Sequence, residues 1–258
     1  MSIANGLRLG LPVLIAGALL LGGCVRSEAH YAAQMDSEAE TNPELGGLRD
    51  ADPEFYAEIR GEVSRRLAAG EDQQIVASEA ARRVNARFVE LIRNLPNAPA
   101  ESQLATFRAE RQLMIRLQPV DSGACAAVFN GTLQEGAIPE AGHAEFRRNI
   151  AVRMQAARAG RDQPSTHPAL TDADGRAFVQ ALLAGGLTQT QVEAFGYGRP
   201  IAPDAAGQCE AGLRIFNAID QLDPAVRERV IAQMMSAFAE MAAGRIQQRQ
   251  AESLRAFP

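Results

Sequence analysis

Two cysteines constrain this chain more than any other feature. Cys125 and Cys209 stand 84 residues apart and are the only cysteines after residue 24. Each lies in an Ala- and Gly-rich stretch, residues 121–130 and 204–217, that opens on Asp and closes on Asn. At the same offset, and without a gap, Gly123 meets Gly207, Ala127 meets Ala211, and Ala159-Gly160-Arg161 meets Ala243-Gly244-Arg245. Apolar positions also agree: Phe129 with Leu213, Phe146 with Val230, Ile150 with Met234, Met154 with Phe238. With small gaps upstream, Phe88-Val89 resembles Phe178-Val179, and residues 103–107 resemble 191–195. Any two Ala-rich amphipathic helices agree at some offset, which accounts for the apolar matches. It accounts less well for matched cysteines and helix ends in one order. The pattern predicts two tandem related four-helix repeats, at about 72–160 and 161–245.

At 258 residues the chain can bury a full-sized core. Ala dominates its apolar residues, aromatics are 5% with no Trp, and no alternating β-branched run asks for a sheet. Helical spacing throughout predicts an all-α bundle of about eight or nine helices. A first helix over residues 52–70 is added before the repeats, with Asp52 as cap, Pro53 in the first turn, and Phe55, Ile59, Val63 and Leu67 on one face. Further stripes are Ile75, Ala80, Val84 and Leu91; Leu104, Phe107, Met114 and Leu117; and His143, Phe146, Ile150 and Met154. In the second repeat they are Phe178, Val179, Leu182 and Leu183; Leu213, Phe216 and Ile219; and Val230, Met234, Phe238 and Met241. Residues 246–258 read as a polar tail.

The N-terminus carries an address. Arg8 precedes an apolar run from Leu9 to Leu21, long enough for a signal-peptide core and short for a membrane span of roughly 20 residues. Leu21-Gly22-Gly23-Cys24 follows. These four residues resemble the lipobox of bacterial lipoproteins. The resemblance, confined to residues 1–24, implies removal of a signal peptide at 1–23 and acylation of Cys24, and hence a stable membrane anchor. Val25 after the cysteine, where Asp retains well-studied relatives at the inner membrane, slightly favours the outer membrane. Residues 24–51 are polar and acidic, with Asn42-Pro43 and Gly46-Gly47, and read as a lipidated flexible tether reaching roughly 25–30 Å. The body is expected to face the periplasm within the cell envelope.

A secretory route permits disulfides. Cys125 and Cys209 are therefore expected to bond where the two repeats meet, a closure stabilising by roughly 4 kcal/mol. The alternative is a buried free thiol in each half-core.

Little in the chain announces chemistry. All basic residues are Arg, none Lys, which removes lysine-based catalysis. A net charge of −5 with dispersed Arg argues against a nucleic-acid partner. His30, His143 and His167 have no second His or Cys at ligand spacing. Glu135, Glu140 and Glu145 gather at one helix start, where the dipole favours acids without any catalytic role. No nucleophile elbow, phosphate loop or dinucleotide fingerprint is present. No catalytic, cofactor-binding or metal residue is assigned, and no cofactor is expected. The Gly-rich residues 196–200 depart from the first repeat, and Tyr197 and Arg199 there suit a contact surface. The reading is a membrane-anchored envelope protein with a non-enzymatic role, interacting with another envelope protein. One alternative is a periplasmic carrier holding an apolar ligand between the halves, which a large cavity along the Phe and Met stripes would favour. The other is a cell-wall enzyme with paired carboxylates in a cleft.

Overall fold

Ala-rich, Arg/Glu-laced segments with good caps form helices, and the computed structural model is all-α. It describes residues 27–133 and 137–256, and among these are eleven α-helices and no strand. In order they are α1 (Glu28–Thr41), α2 (Pro43–Ala51), α3 (Pro53–Ala68), α4 (Gln73–Ile92) and α5 (Ala100–Leu117). Then come α6 (Ser122–Phe129), α7 (His143–Asp162), α8 (Asp172–Ala184), α9 (Gln189–Gly196), α10 (Ala205–Asp220) and α11 (Pro224–Ala256). Short 3₁₀ turns, Leu95–Asn97 and Glu140–Gly142, precede α5 and α7. The helix starts are chemically specified. Asp72, Asp121 and Asp204 accept backbone N–H groups of Ile75, Ala124 and Gly207. Thr171 with Asp174, and Thr188 with Gln191, form reciprocal capping boxes.

The excess over eight or nine helices comes from the stretch expected to be a tether. Residues 28–51 are helical and packed, with α1 against α3 and α2 against α7. Ala32, Met35 and Ala39 of α1 and Leu48 and Ala51 of α2 are buried. The Tyr56 hydroxyl donates to the Met35 carbonyl at 3.1 Å, and Arg60 grips Asp36 through two bonds of 2.8 and 2.6 Å. Gly46 and Gly47, read as flexibility, serve close approach. A Cβ on Gly47 would stand 2.6 Å from Ile150 Cγ2, and one on Gly46 would overlap the Ala39 carbonyl and Arg147.

Helix α7 is the axis of the N-terminal part, touching α2, α4, α5 and the Leu95–Asn97 turn. Gly160 lies inside α7, two residues short of its end, because any side chain there would overlap the Asn94 carbonyl. The C-terminal helix also outruns its expected stop. It passes Gly244 to Ala256 through residues that favour helix, so residues 246–256 are not a separate tail. Asp52 begins α3 without a side-chain cap bond. It is instead a buried carboxylate held by Arg87 at 2.9 Å and Arg158 at 3.5 Å. The polar face of α3 forms an ion-pair seam with α4, where Arg83 meets Glu58 and Glu62, and Arg66 meets Glu79. The buried face of α4 runs through Val76, Ala80, Val84 and Leu91. This leaves Ile75, about 100° away on the helix, 55% exposed. Val179 and Leu183 of α8 likewise face outward, and Leu182 inward.

The halves do not form separate cores. One apolar cluster runs continuously from Met35 to Met235. Helix α11 lies against α4, α5 and the Leu95–Asn97 turn as well as α8 and α10. Asp174, at the start of α8, receives two bonds of 2.9 and 2.7 Å from Arg229 of α11, which with the Thr171 bonds holds its carboxyl well below the usual range. Helices α6 and α10 pack together, and Cys125 and Cys209, both fully buried, sit at disulfide distance with Cα atoms 5.4 Å apart.

The cysteine pair carries the first prediction. Intact mass of the oxidised chain, alkylated without reduction, should show no label on Cys125 or Cys209. Replacing both with Ser should lower unfolding free energy by about 4 kcal/mol in denaturant titration. Two alkylated body thiols in unreduced protein would refute the bond.

Candidate functional site: an apolar cavity between the halves

Phe and Met side chains from five helices, α5, α6, α9, α10 and α11, come together around one space. A cavity of about 680 Å³ opens where α5 and the end of α6 face α9, α10 and α11. This lies within the usual range for small-molecule sites, roughly 300–1,000 Å³. Phe107, Phe129, Phe195, Phe216 and Phe238 line it, half of the ten Phe in the chain, so it is a place where aromatic surface is concentrated rather than a packing gap. Met234, Met235 and Met241 complete the α11 wall with adaptable thioethers.

Two aromatic contacts brace the walls across the halves. Phe107 of α5 stacks on Phe216 of α10 with centroids 4.6 Å apart, and Phe129 lies 6.4 Å from Phe195 of α9. Gly212 of α10 permits the approach of α6, since a Cβ there would stand 2.7 Å from Phe129 Cγ and 2.8 Å from Met114 Cε.

The rim is polar and exposed. It includes Asn130, Thr132 and the Gly-rich stretch 196–200, where Gly198 takes φ +62°, a backbone geometry that favours glycine. The two residues singled out for contact meet here. The Arg199 guanidinium lies over the Tyr197 ring, 5.0 Å from its centroid, and Tyr197 is 75% exposed. Arg199 lines the cavity mouth.

Two polar groups in the wall were not singled out by sequence. Glu110 of α5 lines the cavity and accepts from Arg153 of α7 at 2.7 Å. Arg153 in turn lies over Phe238, 4.2 Å from its centroid. Burial pushes the Glu110 carboxyl up, against the opposing pull of Arg153. A carboxylate three residues after Phe107 and four before Met114, on one apolar face, was the available signal. Gln208 of α10, next to Cys209, is the second. It donates through Nε2 to the Ala202 carbonyl at 2.7 Å, and its Oε1 is buried without a partner. No periodicity marks it.

The remaining candidates lie apart from this site. His143 is half-buried, with Nε2 3.1 Å from the Ile138 carbonyl, and His167 is packed against the Ala98 carbonyl at 2.8 Å. Glu140 and Glu145 stand at the start of α7, and Glu135 and Cys24 lie outside the described residues. Among the described residues, no group of three or more His, Cys, Asp or Glu is arranged to hold a metal ion. No described helix is long and apolar enough to cross a membrane. No protein-family model matches the chain, and neither does any curated protein or solved structure.

Glu110 generates a pH prediction. Its folded-state pKa is raised, so the folded chain takes up this proton at higher pH than the unfolded chain does. Its contribution to stability therefore grows as pH falls through the folded value and levels off below the unfolded value, about 4.3. The stability of wild type minus that of Glu110→Gln should rise on acidification over that window. Urea titrations from pH 7 to 4 would show it; a difference that is flat, or falls, would refute the burial effect.

Proposed function

We propose that this chain is a lipid-anchored envelope protein that carries an apolar ligand in the cavity between its halves. The cavity is the observation that supports the carrier reading over a purely structural one. It is large, lined by Phe and Met, and walled from both halves of the chain. The exposed Tyr197 and Arg199 at its mouth suit a second, compatible role as the surface that meets a donor or acceptor of that ligand. A cell-wall enzyme gains no support here, since Glu110 is the only carboxylate among the described lining residues and glycoside hydrolysis takes a pair.

Anchoring rests on residues 1–24, whose apolar run and Leu21-Gly22-Gly23-Cys24 resemble a lipobox. With α1 starting at Glu28, only three residues, four Cα steps, separate an acylated Cys24 from the folded body. That length spans at most about 14 Å, so the body would work beside the bilayer rather than at the end of a long tether. A carrier held there is well placed to take an apolar molecule from the membrane.

Two experiments test this. Cys24→Ser should abolish acylation and move the full-length protein out of the membrane fraction; variant protein that stays with the membrane would count against the anchor. In the second, N-phenyl-1-naphthylamine, an apolar fluorophore, is titrated into the folded protein. It should bind saturably with enhanced emission, and Ala237→Trp, which adds a large ring at an exposed point of the cavity lining, should weaken it at least about tenfold. No binding by wild type, or unchanged binding by a folded Ala237→Trp variant, would remove the carrier reading.

A further inference from the structure

The carrier reading leaves open what the ligand looks like, and the charges around the cavity carry information on it. Two charged residues are among its described lining, Glu110 in the wall and Arg199 at the mouth. Glu110 is already paired within the protein, since Arg153 of α7 donates to it at 2.7 Å. Arg199 has no such counter-charge. Its guanidinium lies over the exposed Tyr197 ring, a contact that is weak in water and supplies no negative charge. Glu193, the nearest acid before it in the chain, accepts instead from Gln189 at 3.0 Å. The rim holds two further donors, the Asn130 amide and the Thr132 hydroxyl, both exposed. Among the described residues, no hydrogen bond or ion pair engages the side chain of Asn130, Thr132 or Arg199. Uncommitted donors and one uncompensated positive charge therefore stand at the mouth of an apolar space.

Resting on the carrier reading, we infer that the ligand is a single-chain amphiphile with an anionic head, held at the mouth by Arg199 with Asn130 and Thr132 beside it. The apolar chain lies along the Phe and Met wall. A space with an apolar interior and a polar rim matches a molecule with one apolar and one polar end. Its volume, about 680 Å³, is that of a small-molecule site and suits one chain. The head stays in water at the rim, so its charge is not buried against Phe and Met side chains. A cationic head would meet Arg199, and among the described lining residues the rim has no carboxylate to pair with it. A guanidinium fork with flanking donors suits a carboxylate, a sulfate or a phosphate alike.

The test is displacement of N-phenyl-1-naphthylamine from the folded full chain by decanoate, decyl sulfate, monodecyl phosphate and decyltrimethylammonium, each below its micelle concentration. The anions should compete at least about fivefold better than the cation, and high salt should shrink that preference, as for an exposed charge pair. Decanoate ahead of the phosphate ester names a carboxylate head and the reverse order a phosphate one; either supports the inference. In Arg199→Glu the order of anions and cation should reverse. Arg199 is exposed on a loop, so this variant disturbs no buried contact; if it does not fold, the wild-type ranking and its salt dependence decide. Equal competition by anions and cation, tighter competition by the cation, or an unchanged order in folded Arg199→Glu overturns the inference and leaves the carrier reading standing. Failure of the fluorophore to bind wild type at all removes the carrier reading itself.

Discussion

The close approach of α6 to α10 is the constraint on which the rest of the structure depends. Three features make it possible. The cysteines meet at its centre, Gly212 leaves room for the Phe129 ring, and Phe107 stacks on Phe216 beside it. Each ties a residue from the first half of the chain to one from the second. A bond between these cysteines would close 84 residues, restricting the unfolded chain over a long loop as well as fixing the folded one. An apolar cavity forfeits packing contacts along its lining, so its walls tend to close on one another. Here the walls belong to helices anchored elsewhere: α10 by the cysteine pair, α11 by the Asp174–Arg229 pair and by its contacts with the first half. These anchors, with the aromatic pairs Phe107–Phe216 and Phe129–Phe195 between its walls, fix the spacing of the helices around the cavity.

Ionic interactions follow a similar division. All cations are Arg, and their planar forks make two-pronged contacts at Asp36, Asp174 and, through two arginines, Asp52. Asp52 and Asp174 are nearly buried, and each joins distant segments: α3 to α4 and α7 in one case, α8 to α11 in the other. Removing one partner would strand a buried charge, so these pairs specify which helices meet more than they add to net stability. The pairs on the α3–α4 seam are more exposed and weigh correspondingly less.

Much of this was legible in sequence because local rules and tertiary packing agree. Asp72, Asp121, Thr171, Thr188 and Asp204 announce helix starts that the fold keeps. The cysteine pairing followed from its repeated setting, and the Phe and Met stripes were read on the helices that now line the cavity. What was hidden was hidden for physical reasons. Residues 28–51 carry few large apolar groups. Their burial depends on Ala and on Gly46 and Gly47, whose small size lets helices touch, and smallness reads in sequence as flexibility. Gly160 was misread in the same way as a helix end. Gln208 and the Glu110–Arg153 pair matter through partners on other helices, and no one-helix pattern can show them.

The cavity lies where helix gives way to loop in the second half of the chain. In the first half α5 is one unbroken helix from Ala100 to Leu117, and its side chains fill the space beside α7. In the second half α9 stops at Gly196 after eight residues, and the chain continues irregularly to α10. Where the first half has further turns of helix, the second has an exposed loop containing Gly198 and Arg199. The cavity is bounded by α5, α10 and α11, and that loop lines its mouth. The loop thus places Gly198, with its positive φ, and the fork-shaped cation Arg199 at the opening. The end of α9 and the loop after it therefore shape both the cavity and its opening.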